Sequence, residues 1–313
     1  MKRSRSTNLK TTLITGGSGF IGQAISQQLT RDKDQVYIFE PSPKTDTQMQ
    51  RRGSLLNFSD VSAAVQGIEV VYHLGGLLGT TELLRQSAEA VDVNIKGTVH
   101  VLEACRQVQI KRVFYPTKPN EWLNTYSITK KAGEEFAYMY RQIYGLDVRV
   151  LRWLNVYGPG QKIYPVRKAV PMMIFQALHG LPIEIFGDGE QCVDLIYKDD
   201  LARITTEYMA LDRVEPLTRD TGCTIRMTVN ALADLIKQMT LSPSVIRHLP
   251  MRPGEEPAKP VTLLAIETAA DLLGLNHIAT TIEEGLAATI KYYQDLLQAT
   301  TDVVLAHYAP RHQ

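Results

Sequence analysis

Short apolar runs and longer segments with helical periodicity alternate along the first half of the chain. The apolar runs lie near residues 11, 35, 69, 111 and 147, with helical patterns between them as far as about residue 155. Apolar runs that alternate with helices at this spacing are typical of parallel strands joined by helical crossovers. The pattern therefore predicts an α/β fold built on a doubly wound parallel sheet.

The regular alternation of strands and helices ends after the Gly-Pro-Gly run at 158–160. Shorter strands, prolines and helices follow, which predicts a smaller C-terminal α/β domain. We expect the first domain to cover residues 11–160 and the second to cover 161–313, with a helix at 198–212 that packs back on the first sheet. The basic residues at the start precede no apolar run, so residues 1–10 are expected to form a disordered terminus rather than a signal peptide.

The last predicted helix has a clear start signal. Thr281, followed three residues later by Glu284, forms the pattern of a capping box. The spacing then predicts an amphipathic helix, because apolar residues recur on one face at Leu286, Ile290, Tyr293 and Leu297.

A glycine-rich turn follows the first predicted strand, in the run TTLITGGSGFIG at 11–22. Gly16 permits a tight turn, Gly19 lets the backbone approach a pyrophosphate, and Gly22 lets the next helix pack closely on the sheet. The start of that helix offers N–H groups and the positive end of its dipole to phosphates. The motif predicts a Rossmann-type site for a dinucleotide.

An acidic residue stands at the end of the second predicted strand, 35–39, as a dinucleotide site requires. The carboxylate of Glu40 would accept hydrogen bonds from ribose hydroxyls and repel a 2′-phosphate, which favours NAD over NADP. A solvated glutamate before Pro41 is the alternative. The next strand, 69–74, is nearly apolar and ends in Gly75-Gly76, as expected where the carboxyl edge of a parallel sheet faces a cofactor.

Composition narrows the functional classes. The chain has 313 residues, of which 44% are hydrophobic, enough for one large core and a smaller one. Its net charge of +1 argues against nucleic-acid and membrane-surface partners, and no apolar stretch is long enough to span a membrane. The cysteines at 105, 192 and 223 suggest neither a disulfide framework nor a metal site, so a cytoplasmic location is expected.

Candidate catalytic residues follow the strand predicted at 112–115. Tyr126 and Lys130 are four residues apart and share one face of a predicted helix. A neighbouring ammonium group and a cationic nicotinamide would both lower the pKa of the tyrosine, which would let it accept the proton of an alcohol being oxidised. Tyr164 and Lys168 have the same spacing, but a proline follows the tyrosine and the segment lies past the sheet.

Eight short motifs follow one another along nearly the whole chain. They lie at 15–22, 73–76, 94–98, 126–130, 152–160, 187–189, 199–200 and 252–255. In this order and spacing the chain resembles the extended short-chain dehydrogenase/reductases, in the NAD-dependent sugar-nucleotide epimerase/dehydratase family. The resemblance implies that NAD is the cofactor, that a nucleotide sugar such as a UDP-sugar is the substrate, and that the C-terminal domain binds mainly the substrate.

The resemblance also implies roles for individual residues. Tyr126 would be the catalytic acid/base, Lys130 would hold the nicotinamide ribose and tune the tyrosine, and Asn94 would lie beneath the site and order the proton relay. Other residues implied to contact the cofactor, beside the three glycines and Glu40, are Phe20, Ile21, Leu55, Leu74 and Gly75.

On the substrate side, Asn155 and Arg252 fall where the family contacts the diphosphate of the sugar nucleotide, and Glu255 belongs to the same motif as Arg252. A guanidinium group suits a phosphate well. The alternatives are a turn residue before Gly158 for Asn155 and a solvated surface charge for Arg252.

The chain departs from the family where a hydroxyl residue usually follows the strand predicted here at 112–115. The family carries a serine or threonine well before the tyrosine, whereas here Thr117 lies only about nine residues before Tyr126, so a substrate-side loop is missing. Thr117 is our candidate for a catalytic and substrate-binding hydroxyl, although counting from the strand puts Lys118 in the usual position. If Lys118 enters the site, a cation would face a sugar oxygen or a substrate carboxylate.

Three further departures bear on substrate and cofactor. Lys118 and Pro119 stand where the family's dehydratases place an acidic pair, which argues against 4,6-dehydration. Val193 stands where many relatives have an arginine, and Ser54 where an aspartate often meets the adenine. Trp122 lies in the shortened loop and either lines the sugar pocket or serves packing.

The resemblance implies an epimerase that oxidises the sugar at C4 and re-reduces the ketone from its other face with the same NAD. The same parts can also oxidise a sugar nucleotide and then decarboxylate, dehydrate or reduce it, and Lys118 is the residue that would signal such a shift. A non-catalytic NAD-binding regulatory protein is the alternative from another class.

A homodimer is also expected. The segments 86–108 and 126–144 have broad apolar faces, and in the family such a pair of helices forms a four-helix interface. A role in the core alone is the alternative. The residues concerned are Val91, Ile95, Val99, Leu102, Phe136, Met139, Tyr140 and Ile143.

Overall fold

The structure is a computed structural model that describes residues 10–42, 49–119, 121–214, 218–222, 226–256 and 280–308. The predictions for residues 1–9, for Cys223 and for the side chain of Leu297 lie outside this set.

A seven-stranded parallel sheet forms the first layer, in the order β3-β2-β1-β4-β5-β6-β10. Chain order reverses between β1 and β4, which are neighbours in the middle of the sheet. A crevice opens at such a reversal, outside the carboxyl ends of the strands. The strands are β1 Thr11–Thr15, β2 Gln35–Glu40, β3 Met49–Arg52, β4 Val70–His73, β5 Arg112–Thr117, β6 Val148–Trp153 and β10 Thr218–Thr221.

Two smaller sheets belong to the later part of the chain. One has the order β11-β9-β7, and the other pairs β12 with β8 in parallel. Their strands are β7 Asn155–Tyr157, β8 Ile183–Phe186, β9 Cys192–Tyr197, β11 Arg226–Thr228 and β12 Ile246–Leu249.

Helices cover both faces of the main sheet and the smaller sheets. They are α1 Phe20–Arg31, α2 Phe58–Ala64, α3 Ser87–Val91, α4 Gly97–Gln107, α5 Thr125–Tyr144, α6 Ala169–Leu178, α7 Lys198–Ala210, α8 Val229–Met239 and α9 Ile282–Tyr308. None of the helices within the described ranges is long and apolar enough to cross a membrane.

The prediction of a doubly wound Rossmann-type sheet is confirmed, because helices cover both faces of a parallel sheet and alternate residues of β1, β2, β4, β5 and β6 enter different cores. On one face α1 and α7 cover Ile14, Ile38, Tyr72, Phe114 and Leu151. On the other face α2, α4 and α5 cover Leu13, Phe39, Val71, Val113 and Tyr115.

The later part of the chain has its own core but also returns to the main sheet. Helices α6, α8 and α9 pack with the smaller sheets around residues such as Phe175, Leu195 and Leu286. Helix α7 packs on the α1 side of the main sheet, and β10 extends that sheet beside β6. Where the two predicted domains divide stays a prediction.

The capping box predicted at the start of α9 forms as expected. The hydroxyl of Thr281 accepts a hydrogen bond from the backbone N–H of Glu284 at 3.2 Å, and the Glu284 carboxylate accepts one from the N–H of Thr281 at 2.9 Å. Both partners therefore satisfy N–H groups that the first turn of a helix leaves unpaired. Leu286, Ile290 and Tyr293 are buried, as their spacing predicts.

Candidate active site

The glycine turn after β1 lies at the reversal point of the sheet. Gly16 has φ +70°, and its N–H donates to the carbonyl of Phe39 at 3.1 Å. A Cβ on Gly16 would come within 2.9 Å of the Gly75 Cα atom, so the two glycines let the loops after β1 and β4 approach each other. This close approach shapes the floor of the crevice.

The start of α1 provides a cradle for a pyrophosphate. A Cβ on Gly22 would lie 2.5 Å from the carbonyl oxygen of Gly16, so only glycine lets the helix begin this close to the turn. Gly19 caps the helix without a side-chain hydrogen bond, and Phe20 and Ile21 form its first turn. The N–H groups of such a first turn have no intrahelical partner and suit phosphate oxygens.

Glu40 ends β2 beside the glycine turn, and Leu55 lies against the loop that follows β4. The half-buried carboxylate of Glu40 accepts a hydrogen bond from the Ser18 hydroxyl in the glycine turn, so it lies against the predicted cofactor path. Leu55 contacts the backbone positions of both Gly75 and Gly97, because a Cβ on either glycine would meet its side chain at 3.0 Å. The arrangement of these residues, the cradle and the open crevice fits an NAD molecule.

His73 at the end of β4 ties the floor of the site together. Its Nδ1 lies 2.8 Å from the Thr15 hydroxyl and its Nε2 lies 3.0 Å from the Thr98 hydroxyl. Burial, helped by the charge of Lys130, lowers the pKa of His73 to about 3. The ring is therefore neutral and joins β1, β4 and α4. Leu74 extends the pairing of β4 with β1, since its N–H donates to the Thr15 carbonyl at 3.2 Å.

Asn94 lies beneath the site on a π-helical turn, Asp92–Lys96, between α3 and α4. Its side-chain oxygen accepts from the Leu77 N–H at 2.7 Å, and its Nδ2 donates to the Leu77 carbonyl at 2.9 Å. The same Nδ2 donates to the Thr129 hydroxyl at 3.0 Å, and that hydroxyl donates to the Tyr126 carbonyl at 3.1 Å. Asn94 thus fixes the loop after β4 against the helix that carries Tyr126.

Tyr126 and Lys130 lie in the first two turns of α5. The helix begins there because Asn124 caps it, accepting a hydrogen bond from the Ser127 N–H at 2.8 Å. The ammonium nitrogen of Lys130 lies 4.0 Å from the centre of the Tyr115 ring, while the Tyr115 hydroxyl donates to the Lys130 carbonyl at 3.2 Å. The aromatic floor under Lys130 was not predicted, although strand alternation puts Tyr115 on this face.

The protein groups alone do not prepare Tyr126 to accept a proton. Burial raises the pKa of Tyr126 to about 12. Burial lowers the pKa of Lys130 to about 7, although Glu134 opposes the change. The expected lowering of the Tyr126 pKa by Lys130 is therefore absent here, because the ammonium group lies over Tyr115.

Thr117 is buried at the end of β5, beneath α5. Its hydroxyl donates to the Glu134 carboxylate at 3.2 Å, two turns along α5 from Tyr126, and the residue is only 4% exposed. Strand alternation puts Val113, Tyr115 and Thr117 on the face of β5 that α5 covers. Thr117 thus belongs to a buried hydrogen-bond cluster with Glu134, and its role at the site stays a prediction.

Lys118, the other candidate for the hydroxyl position, lies beside Tyr126. Its ammonium nitrogen donates to the Ser127 hydroxyl at 2.9 Å and lies 5.2 Å from the centre of the Tyr126 ring. The ring of Trp122 flanks it at 5.1 Å. Burial, helped by the charge of Lys168, lowers the pKa of Lys118 to about 8. Of the two residues predicted for the hydroxyl position, Lys118 is the one beside Tyr126.

Arg252 and Glu255 are brought to the start of α5 by a hydrogen-bonded loop. The side chain of Asn124 donates to the Gly254 carbonyl at 2.7 Å, and the Leu123 N–H donates to the Glu256 carboxylate at 3.1 Å. Arg252 pairs with Glu255 and lies 4.9 Å from the centre of the Phe186 ring. Its Nε atom is buried and has no hydrogen-bond partner among the described residues.

The sequence interpretation passed over Lys168, which belongs to the same cluster of cations. The residue is half-buried, and burial together with the charge of Arg252 lowers its pKa, while Glu82 and Glu255 oppose the change. Its partner in the spacing argument, Tyr164, is half exposed. The spacing from Tyr164 was set aside in the sequence because a proline follows the tyrosine. Lys168 lies in the loop before α6, where no helical spacing connects it with Arg252 or Lys118.

Asn155 lies on β7 and is not joined to these cations. Its Nδ2 donates to the Asp194 carbonyl at 3.3 Å, across from β9. Within the described ranges, no group of three or more His, Cys, Asp or Glu side chains is arranged to hold a metal ion.

Taken together, the site places a dinucleotide crevice beside a tyrosine, three ammonium groups and an arginine whose Nε has no described partner. NAD bound in the crevice would be held by the glycine turn and Glu40, and would supply hydride acceptance and return. The tyrosine can accept or return the proton of a substrate alcohol, provided that neighbouring cations stabilise its phenolate. The cations favour a substrate with several negative charges.

Similar proteins agree with this arrangement. The chain is 26% identical over 318 residues to the uncharacterized UDP-glucose epimerase YtcB of Bacillus subtilis, covering 91% of this chain and 98% of that protein. Among solved structures, UDP-glucose 4-epimerase of Thermotoga maritima with UDP-glucose superposes with a TM-score of 0.83 at 25% identity, covering 92% of this chain and 99% of that one.

A second solved structure contains the cofactor. It is UDP-glucuronic acid 4-epimerase from Bacillus cereus in complex with UDP-glucuronic acid and NAD, with a TM-score of 0.79 and 25% identity, covering 91% of this chain and 99% of that one. Residues 12–216 match the model of the NAD dependent epimerase/dehydratase family. The match extends over more than half of the chain and includes the cradle, Asn94 and the Tyr126–Lys130 pair. The chain is therefore an enzyme of the NAD-dependent epimerase/dehydratase family.

Proposed function

We propose that the enzyme is an NAD-dependent nucleotide-sugar epimerase that acts on a UDP-sugar. It oxidises the sugar at C4 to a transient ketone and re-reduces the ketone with the same NAD. The observation that carries this proposal is the position of Tyr126 and Lys130 on the first turns of α5, beside a cradle suited to NAD. The similar proteins that are named as UDP-sugar epimerases support it.

Tyr126 acts as the acid/base in this proposal. NAD supplies the chemistry of taking a hydride from the sugar carbon and giving it back. Tyr126 takes the proton of the sugar hydroxyl and returns it to the reduced product, and Lys130 holds the nicotinamide ribose. Because burial alone raises the pKa of Tyr126, its phenolate depends on positive charges that face it during the reaction.

Asn94 acts as a positioning residue. It joins the Leu77 backbone to Thr129, whose hydroxyl donates to the Tyr126 carbonyl. A catalytic group must be held within a fraction of an ångström of its productive position for efficient proton transfer. Asn94 therefore contributes through the geometry of the tyrosine, without contacting the sugar.

The substrate is held at two ends in this proposal. Arg252 binds the diphosphate, because its guanidinium is paired with Glu255 on one side and leaves a buried Nε without a described partner. Lys118 faces the sugar beside Tyr126. Asn155 and Glu255 are proposed to support the diphosphate end, Asn155 from β7 and Glu255 by orienting Arg252.

The proposal is tested by product analysis with the wild type and the Tyr126→Phe variant. Both are incubated with a panel of nucleotide sugars that includes neutral sugars, amino sugars and uronic acids, and products are identified by NMR and mass spectrometry. An inverted centre with an unchanged mass, lost in Tyr126→Phe, supports the epimerase. Loss of water or carbon dioxide would instead identify a dehydratase or a decarboxylase. Absence of turnover with NAD still bound would favour the regulatory alternative.

We also propose a cytoplasmic homodimer. Its interface would be formed by the outer faces of α3, α4 and α5, where Val91, Ile128 and Ile143 are respectively 46%, 57% and 67% exposed. Apolar surface of this kind favours association. The two described cysteines, Cys105 and Cys192, are free thiols, which suits a reducing compartment. A monomeric mass by light scattering at micromolar concentration would overturn the dimer.

A further inference from the structure

Lys118 lies at the sugar end of the proposed site. Its ammonium nitrogen is between the rings of Trp122 and Tyr126, 5.1 Å and 5.2 Å from their centres, and donates to the Ser127 hydroxyl. In the proposed reaction the hydroxyl of Tyr126 faces the sugar oxygen that loses its proton. The reacting sugar therefore lies within reach of the Lys118 ammonium group.

A positive charge at this position is unfavourable for the protein by itself. Lys118 is half-buried, and no carboxylate in the described part of the chain lies within salt-bridge distance of its ammonium nitrogen. Aromatic faces, one hydroxyl and the more distant charge of Glu255 compensate only part of the lost hydration, because burial still lowers the pKa of Lys118 to about 8. A neutral threonine or glutamine could contact Ser127 without this penalty, so a structural role alone does not account for a lysine here.

The neighbouring cations are assigned to a different part of the substrate. The charge of Arg252 acts on Lys168, and the charge of Lys168 acts on Lys118, so the three belong to one cluster of cations. Among these three, Lys118 is the one whose ammonium nitrogen lies 5.2 Å from the centre of the Tyr126 ring. Arg252 and Lys168 supply two positive charges for the diphosphate, and Glu255 orients the arginine. Lys118 is left for a second anionic group on the sugar.

We infer that the sugar carries a carboxylate and that Lys118 pairs with it, which makes the substrate a nucleotide-linked uronic acid. The inference rests on the proposed function, because the orientation of the sugar follows from proton transfer to Tyr126. In a hexuronic acid the carboxylate is attached to C5, the carbon next to C4. A neutral hexose has a hydroxymethyl group there and leaves the ammonium group unpaired. Lys118 is thus a specificity-determining residue that replaces the hydroxyl residue of the family.

The test is equilibrium binding to the Tyr126→Phe protein with NAD bound, since this variant is designed to bind substrate without turning it over. Dissociation constants are measured by calorimetry for UDP-glucuronate and UDP-glucose. We expect UDP-glucuronate to bind at least tenfold more tightly. Adding Lys118→Gln should weaken UDP-glucuronate by about that factor and leave UDP-glucose unchanged. Adding Lys168→Gln instead should weaken both ligands equally, because it removes a cation at the diphosphate end.

Three results would overturn the inference: equal affinity for the two ligands, equal weakening of both by Lys118→Gln, or a loss of preference caused by Lys168→Gln. Turnover by the wild type is measured separately and tests the proposed function. Epimerisation of UDP-glucose together with equal affinities would leave the proposed function intact and reject the uronate. A Lys118-dependent preference without turnover of either sugar would support the uronate and reject the epimerase. Thermal melting of each variant checks folding, and Lys118→Gln should melt no lower than its parent.

Discussion

The ammonium group of Lys130 lies over the ring of Tyr115, 4.0 Å from its centre, and makes no salt bridge with any carboxylate of the described ranges. A cation on an aromatic face gains part of what it loses on leaving water. The gain is incomplete, because burial still lowers the pKa of Lys130 to about 7. Lys130 therefore loses its proton more readily in the folded protein than in water. In the proposed complex its ammonium group contacts the nicotinamide ribose.

Replacing Lys130 by methionine should stabilise the free protein at low pH. Lys130 has a pKa of about 7 in the folded protein and an ordinary value of 10.5, so the unfolded chain binds the proton more tightly. Its contribution to stability is therefore least favourable below pH 7 and improves as pH rises from 7 toward 10.5. Lys130→Met should raise the unfolding free energy by on the order of 2 kcal/mol at pH 6, with the gain vanishing near pH 10.

Denaturant unfolding at pH 6, 8 and 10 measures this difference, with Lys131→Met as the matched control. Although burial alone would lower the pKa of Lys131, its bonds to Glu135 and Glu134 raise it, so removal of this lysine should not stabilise the protein at any of these pH values. Turnover by Lys130→Met should fall at least 100-fold. Equal stability of Lys130→Met and the wild type at pH 6 would refute the electrostatic account.

Alanine at two different glycines should have the same effect on stability but different effects on NAD binding. Gly16 and Gly67 both have φ +70°, so alanine strains the backbone at either position by about 1–2 kcal/mol. Only Gly16→Ala also drives a Cβ to 2.9 Å from the Gly75 Cα, whereas the space around Gly67 is open. Gly16→Ala should therefore lose at least tenfold in NAD affinity, and Gly67→Ala should bind NAD as the wild type does.

Calorimetric titration of NAD into the three proteins checks this prediction, and melting temperatures report the shared backbone strain. Equal NAD affinity of Gly16→Ala and Gly67→Ala would mean that the approach of the two glycine loops does not shape the cofactor site.

Asn94 should affect the rate more than binding. Asn94→Ala removes three hydrogen bonds that hold Leu77 and Thr129, so the helix start that carries Tyr126 becomes less well fixed. We expect kcat to fall about 10- to 100-fold with KM nearly unchanged. The measurement is steady-state kinetics with hydrogen exchange at Leu77 as a second readout. Asn57→Ala, which removes the cap of α2, is the control and should lower stability alone.

A rise in KM with kcat unchanged in Asn94→Ala would contradict this role and would indicate that Asn94 contacts the substrate. Exchange at Leu77 should increase in the variant, because its N–H loses the acceptor at 2.7 Å.

Local signals explain why much of the fold could be predicted. The glycine turn and the capping box at Thr281 depend on residues a few positions apart, and both form as expected. The strands β3 and β10 were not predicted. Gln50, Arg51 and Arg52 of β3 are polar and lie at an edge, while β10 has the sequence TRDT, so neither shows an apolar or alternating pattern.

The site was only partly predictable for a different reason. Tyr126 and Lys130 share one helix, so their spacing was sufficient to place both in its first two turns, whereas the contact of Lys130 with Tyr115 depends on β5. The sequence could not decide between Thr117 and Lys118. The outcome depends on the direction of each side chain at the end of β5 and on the position of the first turn of α5 relative to that end. Lys168 comes from a distant loop, and no local spacing connects it with Arg252.

The central claim is that Tyr126 serves reversible oxidation at C4, with the same bound NAD returning the hydride. The most direct test uses UDP-glucuronate and UDP-glucose that carry deuterium at C4, incubated in ordinary water with the purified enzyme and followed by NMR. Our account predicts an epimer inverted at C4 that retains the deuterium there, has an unchanged mass, and is absent with Tyr126→Phe. An inverted product that has exchanged its deuterium for a solvent proton, or a product that has lost carbon dioxide or water, would contradict the account.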